Sequence, residues 1–376
     1  MTSTKKDPIL VVVQLSGGND GINTVVPYGD PNYYDQRPSL GIPQEQVLAL
    51  SDHVGFHPSM RPLKNLYDEG KVAVIQGVGF PNCNRSHFRS MDVWHTCEPD
   101  KLATEGWLGR SIRDLDPNKE NVLTGVNFGR GLPHALALPG VPVASVGNLA
   151  TYGLLTGIED EERRAALDTF TRIYSPTLGG SFTYDYLSQT GMDAFKGADI
   201  LKTVPEKYES SVEYGNNPVA RYLRMMAQTI VGGVGTRILY TTSPYNSFDL
   251  HGSALTLQAA LWNDVSHYVQ DFFDDLHEQN MGDNVTMLLF TEFGRRVKDN
   301  GSGTDHGTGG AALVVGDRVK GGLYSEYPSL ALEKQADGDL QFNYDFRGLY
   351  STLLEQWMGL DAKPIVNGSF EQLDLF

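Results

Sequence analysis

Ile9-Leu10-Val11-Val12-Val13-Gln14-Leu15 (ILVVVQL), ended by Ser16-Gly17-Gly18-Asn19-Asp20, decides the fold. A continuous apolar run without polar alternation reads as a strand buried on both faces, as in parallel sheets, and the glycines stop it. Working outward, Pro58–Glu69 carries Met60, Leu63, Leu66 and Tyr67 at helical spacing, with Gly70 as its stop. Val72–Gln76 (VAVIQ) is the next strand, so the opening is βαβ-like. Helices are predicted over Ser86–Thr96 and Trp107–Leu115, and a further strand over Val141–Val146.

Strand signals then fade between about Gly157 and Gly232. Glu159–Ile173, Tyr184–Phe195 and Pro218–Ile230 read as helices around a Gly/Thr/Ser/Pro-rich break at Ser175–Phe182. This stretch is either an inserted helical cap or an outer layer of the sheet. Alternation resumes with strands at Arg237–Thr241, Val285–Phe290 and Ala311–Val315, a long helix over Ala254–Gln279 and a closing helix over Phe346–Met358. Strands alternating with helices predict an α/β fold, a mainly parallel central sheet flanked by helices on both faces. We expect a single domain over residues 1–376 with a helix-rich insertion or cap at about 157–232.

Thirty basic against 46 acidic side chains give a net charge of −16, which argues against nucleic acid as the main partner. A small anionic substrate stays open, because a metal supplies local positive charge that net charge hides. No apolar stretch reaches the ~20 residues needed to span a bilayer. As the sequence stands, with the polar start Met1–Asp7 and no signal segment, a cytoplasmic protein is expected; removal of a leader would make it periplasmic or exported. Cys83 and Cys97 flank a predicted helix, which separates them beyond disulfide reach, so two free thiols are expected. Nothing in the sequence speaks to oligomeric state.

Acid and acid–histidine pairs cluster after the apolar runs: Asp20, then Asp249-Leu250-His251, Glu292, and Asp305-His306 in a Gly-rich loop. Ligands of open parallel sheets gather beyond the carboxyl ends of the strands, so distant residues can meet there. Carboxylates with imidazoles point to a metal site. Each has a plainer alternative: Asp20 as the cap of a turn, Glu292 in an ion pair with Arg295 or Arg296. The flexible, Gly-rich setting of Asp305-His306 favours ligand duty. Ser86 sits where a helix begins, either as an N-cap or as a nucleophile beside exposed backbone N–H groups. Arg85, His87 and Arg89 add positive charge to that turn. His57 lies near the expected rim; His267 and His277, on the long helix, read as solvent or packing residues.

The stretches LSGGNDGINTVVPYGDPNYY, VAVIQGVGFPNCNRSHFRSMDVW, FDLHG, TEFGRRVKDNGSGTDHG and VKGGLYSEYPSL, with the ending FEQLDLF, resemble one family along nearly the whole chain. It is the bacterial family called domain of unknown function 1501, a branch of the alkaline phosphatase-like superfamily. The resemblance implies one or two divalent ions at the strand ends, zinc first, with manganese, magnesium or calcium as alternatives. It also implies a Ser, Thr or formylglycine nucleophile attacking phosphate or sulfate esters. By order along the chain, Ser86 takes the nucleophile's place, and Asp20, Asp249, His251, Glu292, Asp305 and His306 take those of metal ligands. His87 is a ligand or a general acid, and Arg85 or Arg89 neutralises the transferring group. Phe293 follows Glu292 where the superfamily has an imidazole, and Arg85 and His87 replace the Pro and Arg a formylglycine site needs after Cys83. The expected function is a metal-dependent hydrolase or transferase of a phosphate, sulfate or related ester. The rival is a non-catalytic binding or assembly module on the same scaffold.

Overall fold

The computed structural model describes residues 6–152, 160–174 and 182–376. Its main sheet contains β1 (Ile9–Gln14), β2 (Val72–Gly79), β3 (Gly125–Phe128), β4 (Ala144–Val146), β5 (Ile238–Thr242), β6 (Val285–Phe290), β7 (Gly310–Val315), β8 (Gly322–Tyr324) and β9 (Tyr344–Asp345). The strands run in the order β8-β2-β7-β6-β1-β5-β3-β4, with β9 pairing β2 beyond its contact with β8. β7 is antiparallel to both its neighbours and all the other pairs are parallel, so the sheet is mixed but mostly parallel. The βαβ-like opening is therefore split: β1 and β2 run the same way, but β6 and β7 lie between them.

Strand β1 shows why its sequence does not alternate. Val11 and Val13 face one apolar core, and Leu10 and Val12 face the other. The first core is closed by α1 (Arg61–Asp68), through Leu63 and Leu66, and by two helices described below. The second is closed by α2 (His87–Thr96), α3 (Trp107–Leu115) and Phe346–Thr352, through Trp94, Trp107 and Tyr350. Burying apolar area at roughly 25 cal/mol per Å² on both sides is what makes a central strand of this composition favourable. Among these residues Trp107 and Tyr350 stack at 3.9 Å.

The helix-rich stretch holds α4 (Asp160–Tyr174), α5 (Phe182–Lys202) and α6 (Pro218–Val231). The break expected at 175–182 lies, Phe182 aside, outside the described residues. Helix α6 buries Ala220, Leu223, Met226 and Ala227 in the first core, beside Leu239 of β5 and Trp262 and Val265 of α7 (Ala254–Glu278). Helix α6 therefore packs against the sheet and α7. The closing helix ends at Thr352 and continues as one wide π-turn segment, Leu353–Met358. The four-residue β3 was not predicted, being too short for a periodic signal. No described helix is long and apolar enough to cross a membrane. Cys83 and Cys97 are both free thiols, as expected.

Candidate metal centre

Three side chains converge at the carboxyl-end rim of the sheet, with a fourth beside them: His87, the first residue of α2; Asp249, in the loop after β5; and His306, in the loop before β7; His251, two residues after Asp249, adjoins Asp249 and His306. The Nε2 atoms of His87 and His306 are 3.1 Å apart, and those of His251 and His306 are 3.0 Å apart. Asp249 closes the group. Its Oδ1 lies 2.9 Å from His251 Nε2 and 3.1 Å from His306 Nε2, and its Oδ2 lies 3.4 Å from His87 Nε2.

The other nitrogen of each ring is braced. His87 Nδ1 is 2.8 Å from Glu292 Oε1, His306 Nδ1 is 2.8 Å from the Arg85 carbonyl, and His251 Nδ1 is 3.2 Å from Asp305 Oδ1. A carbonyl and a carboxylate only accept, so each ring carries its proton on Nδ1. With the rings neutral, the Nε2 lone pairs of His87 and of His251 each face that of His306, beside the Asp249 carboxylate, at hydrogen-bond distance. That arrangement is repulsive unless a cation fills it. Zinc holds nitrogen ligands at about 2.0–2.1 Å in a tetrahedron, which places neighbouring ligand atoms about 3.3 Å apart. The separations here run from 2.9 to 3.4 Å. Imidazoles oriented by an acceptor on the far nitrogen are the usual outer support of a metal centre. His87, His306 and Asp249 fit a divalent ion, and His251 stands next to His306 and Asp249 as the candidate third nitrogen.

The surroundings fix this geometry. Burial works to raise the Asp249 pKa, but the hydrogen bond and charge of Arg295 outweigh it and hold it at about 2. Arg295 is fully buried and also donates to the carbonyls of Gly17, Gly18, Phe248 and Thr304, tying together the segments that carry the ligands. Phe293 packs against the rings of His87 and His306, at 4.8 and 5.0 Å. Gly17 sits at φ +118°, and a Cβ there would meet the Asp249 backbone nitrogen at 2.5 Å. The loop at Asp305-His306, expected to be flexible, is pinned instead. Arg296 N–H donates to the Asp305 carbonyl at 3.0 Å and Gly307 N–H to the Gly294 carbonyl at 2.9 Å. The centre opens to solvent on the side of His251, which is 47% exposed, against 11% for His87.

The sequence-predicted residues divide. Asp249, His251, His306 and His87 come together. Glu292 and Asp305, expected as ligands, hold Nδ1 atoms one layer out. Asp20 is elsewhere: it caps Gly21–Thr24 and binds Arg37 through both oxygens, at 2.5 and 3.1 Å, fully buried. Arg37 supplies there the positive charge a metal would have brought. Burial alone would lower the Arg37 pKa, and the Asp20 carboxylate overrides it and raises it. Neither cation proposed for the transferring group faces the cluster. Arg85 pairs with Asp339 and Asp337, at 2.9 and 3.1 Å. Arg89 pairs with Asp92 and donates to the carbonyls of Glu98, Pro99 and Lys101. Ser86 stands at the N-cap position of α2, but its hydroxyl makes no capping bond. His57 is buried against Ser59, with its pKa lowered to about 4 by burial, and is no part of the group. Arg37, Arg295 and Phe293 were missed as site residues: arginines far in sequence from their acids leave no local pattern.

A family model described as "Protein of unknown function (DUF1501)" matches residues 7–370. No curated protein matches the chain. The solved structures similar to it include a sulfatase from Pseudoalteromonas sp., at 12% identity and TM-score 0.42, over 98% of this chain and 71% of that one. A protein in the alkaline phosphatase superfamily from Vibrio parahaemolyticus is similar at 11% identity and TM-score 0.39, over 96% and 69% of the two chains. A phosphonate monoester hydrolase from Silicibacter pomeroyi is similar at 9% identity and TM-score 0.41, over 98% and 76%.

Proposed function

This chain belongs to the DUF1501 family, and we propose that it is a hydrolase or transferase of phosphate, sulfate or related esters that works with one divalent ion, held by His87, His251, His306 and Asp249. The observation that carries the proposal is the convergence of His87 Nε2, His306 Nε2 and Asp249, with His251 Nε2 beside them and an acceptor on the far nitrogen of each ring. Three nitrogens and a carboxylate favour zinc over magnesium or calcium, which prefer all-oxygen sites. One ion rather than two is proposed because Asp20 is neutralised by Arg37. The ion, when bound, supplies Lewis acidity to an ester oxygen and eases ionisation of a nearby hydroxyl or water.

The chain's own groups divide the remaining work. Ser86 precedes the ligand His87, and its hydroxyl is not spent on capping the helix, which suits a nucleophile. Glu292, Asp305 and the Arg85 carbonyl, each an acceptor at an Nδ1, aim the ligand Nε2 atoms. Asp305 is exposed and reaches the exposed His251 at 3.2 Å, so this brace lies on the solvent side of the group.

The test is metal analysis of the purified protein, followed by a screen of phosphate mono- and diesters, sulfates and phosphonates. About one zinc per chain is expected, lost in His306→Ala and Asp249→Asn, together with chelator-sensitive turnover that Ser86→Ala abolishes. A chain that binds no divalent ion sinks the proposal. One observation favours the rival binding module: Arg85 and Arg89 are both committed to carboxylates away from the cluster. Stoichiometric metal with no turnover across the screen would decide for that rival.

A further inference from the structure

Helix α2 brings His87 to the metal centre from its first residue, and no side-chain cap fixes that end, since the Ser86 hydroxyl makes no capping bond. Farther along, Trp94 stacks on Phe290 at 5.1 Å and on Phe346 at 4.4 Å, apolar contacts that hold the helix in the core but tolerate small slides. His95 supplies a directional tie. Among the described residues it is the α2 side chain that hydrogen-bonds to strands of the main sheet. Its Nε2 lies 2.9 Å from Gln14 Oε1, at the end of β1, and 3.3 Å from the Tyr240 hydroxyl, in β5. The Tyr240 hydroxyl donates to the same Gln14 oxygen. An amide oxygen has two lone pairs, so one atom accepts from both partners. All three side chains are buried, where water does not replace a lost partner.

The three elements tied at this point are those that carry the centre. Helix α2 opens with His87, and the loop after β5 carries Asp249 and His251. Gly17, just past Gln14, donates its N–H to the Glu292 carboxylate that braces His87. His95 follows His87 by about two helical turns, which puts the two rings within about 80° of each other around the helix and about 12 Å apart along it. Tilting α2 by about 1° about His95 therefore moves His87 by about 0.2 Å, as much as a metal–ligand distance tolerates.

We propose that Gln14, His95 and Tyr240 are positioning residues of the metal centre: their shared hydrogen bonds set the depth and tilt of α2, and with them the place of His87 Nε2 opposite His306 and Asp249. The inference rests on the metal reading of that group, and one arm of its test needs no metal. Zinc affinity of the full chain is measured by titration against a competing chelator, and the His87 ring is followed in the metal-free protein by imidazole nitrogen NMR. His95→Leu should weaken zinc binding at least fivefold and shift the His87 ring signals. His95→Gln, whose amide N–H can reach Gln14 Oε1 as the imidazole does, should restore both. Tyr240→Phe keeps the ring and removes one of the two donors; it should weaken zinc binding at least threefold, and it carries the test if His95→Leu does not fold. Ile112→Ala, on α3, opens a cavity in the same apolar core and should lower the melting temperature with zinc affinity unchanged. Zinc affinity within twofold of the parent in His95→Leu and Tyr240→Phe overturns the proposal, as does an equal loss of affinity in Ile112→Ala. A parent chain that takes up no zinc removes the metal reading, and the His87 signals then decide the positioning role alone, so the two failures are distinguishable.

Discussion

Replacing Glu292 by glutamine isolates the charge that braces the metal centre. Glu292 is fully buried; its Oε1 accepts from the Gly17 N–H at 2.9 Å and from His87 Nδ1 at 2.8 Å, and its Oε2 lies 3.1 Å from the Thr291 hydroxyl. Glutamine has the same shape. Its carbonyl oxygen can keep both donors at the Oε1 position, and its amide can donate to Thr291, whose own proton goes to the Leu15 carbonyl at 2.8 Å. The hydrogen bonds survive and only the negative charge behind His87 is lost. Weakening an outer brace of this kind costs about 10- to 100-fold in metal affinity, or about 1.4–2.7 kcal/mol. Zinc titration against a competing chromogenic chelator at pH 7.5 measures it, with melting of the metal-free protein as the control for folding. Metal-free Glu292→Gln should melt close to the parent while its zinc affinity falls by at least tenfold. A zinc affinity within twofold of the parent would refute the brace, and with it the assignment of a bare Nε2 on His87.

Three further outcomes follow from the same geometry. Asp20→Asn should retain the full metal content but lose about 3 kcal/mol of stability in urea, because Arg37 is left buried without its counter-charge; loss of metal would return Asp20 to the ligand set. Gly17→Ala should both destabilise the fold by about 1–3 kcal/mol and lower zinc occupancy, since the new methyl group presses on the Asp249 backbone; full occupancy by metal analysis would contradict that contact. Acid stability is set by two buried histidines. Burial, with the nearby charge of His134 as a lesser cause, lowers the His95 pKa to about 3, and burial lowers the His57 pKa to about 4, so both favour the neutral form when folded. Their contribution is complete above the unfolded value near 6.5 and is lost as pH falls from there toward 4 and then 3, by up to about 4–5 kcal/mol for His95. Urea denaturation of the metal-free protein at pH 7, 5 and 4 should show this fall, and a flat profile would remove both histidines from the account.

What the sequence revealed, and what it hid, follows from the range of the interactions. β1, β6 and α7 were legible because burial on two faces, or on one stripe of a long helix, writes a period into consecutive residues. The rim position of Asp249, His251 and His306 was legible because glycines and acids punctuate the ends of such strands. The division between ligands and braces was not. Glu292 and Asp305 carry the same chemistry as Asp249, and only the direction from which an imidazole approaches each of them separates the roles. Asp20 misled for a related reason: its partner Arg37 lies in an irregular segment, so the neutralised pair leaves no motif.

The Arg85 carbonyl aims His306, and two residues later His87 joins the same cluster as the opening residue of α2. The two imidazoles are therefore geared to one short piece of backbone, and that piece is tethered through the Arg85 guanidinium to Asp337 and Asp339. Any ligand that pulls on the 337–339 segment would turn both rings together, which gives the centre a mechanical handle well outside its own coordination sphere.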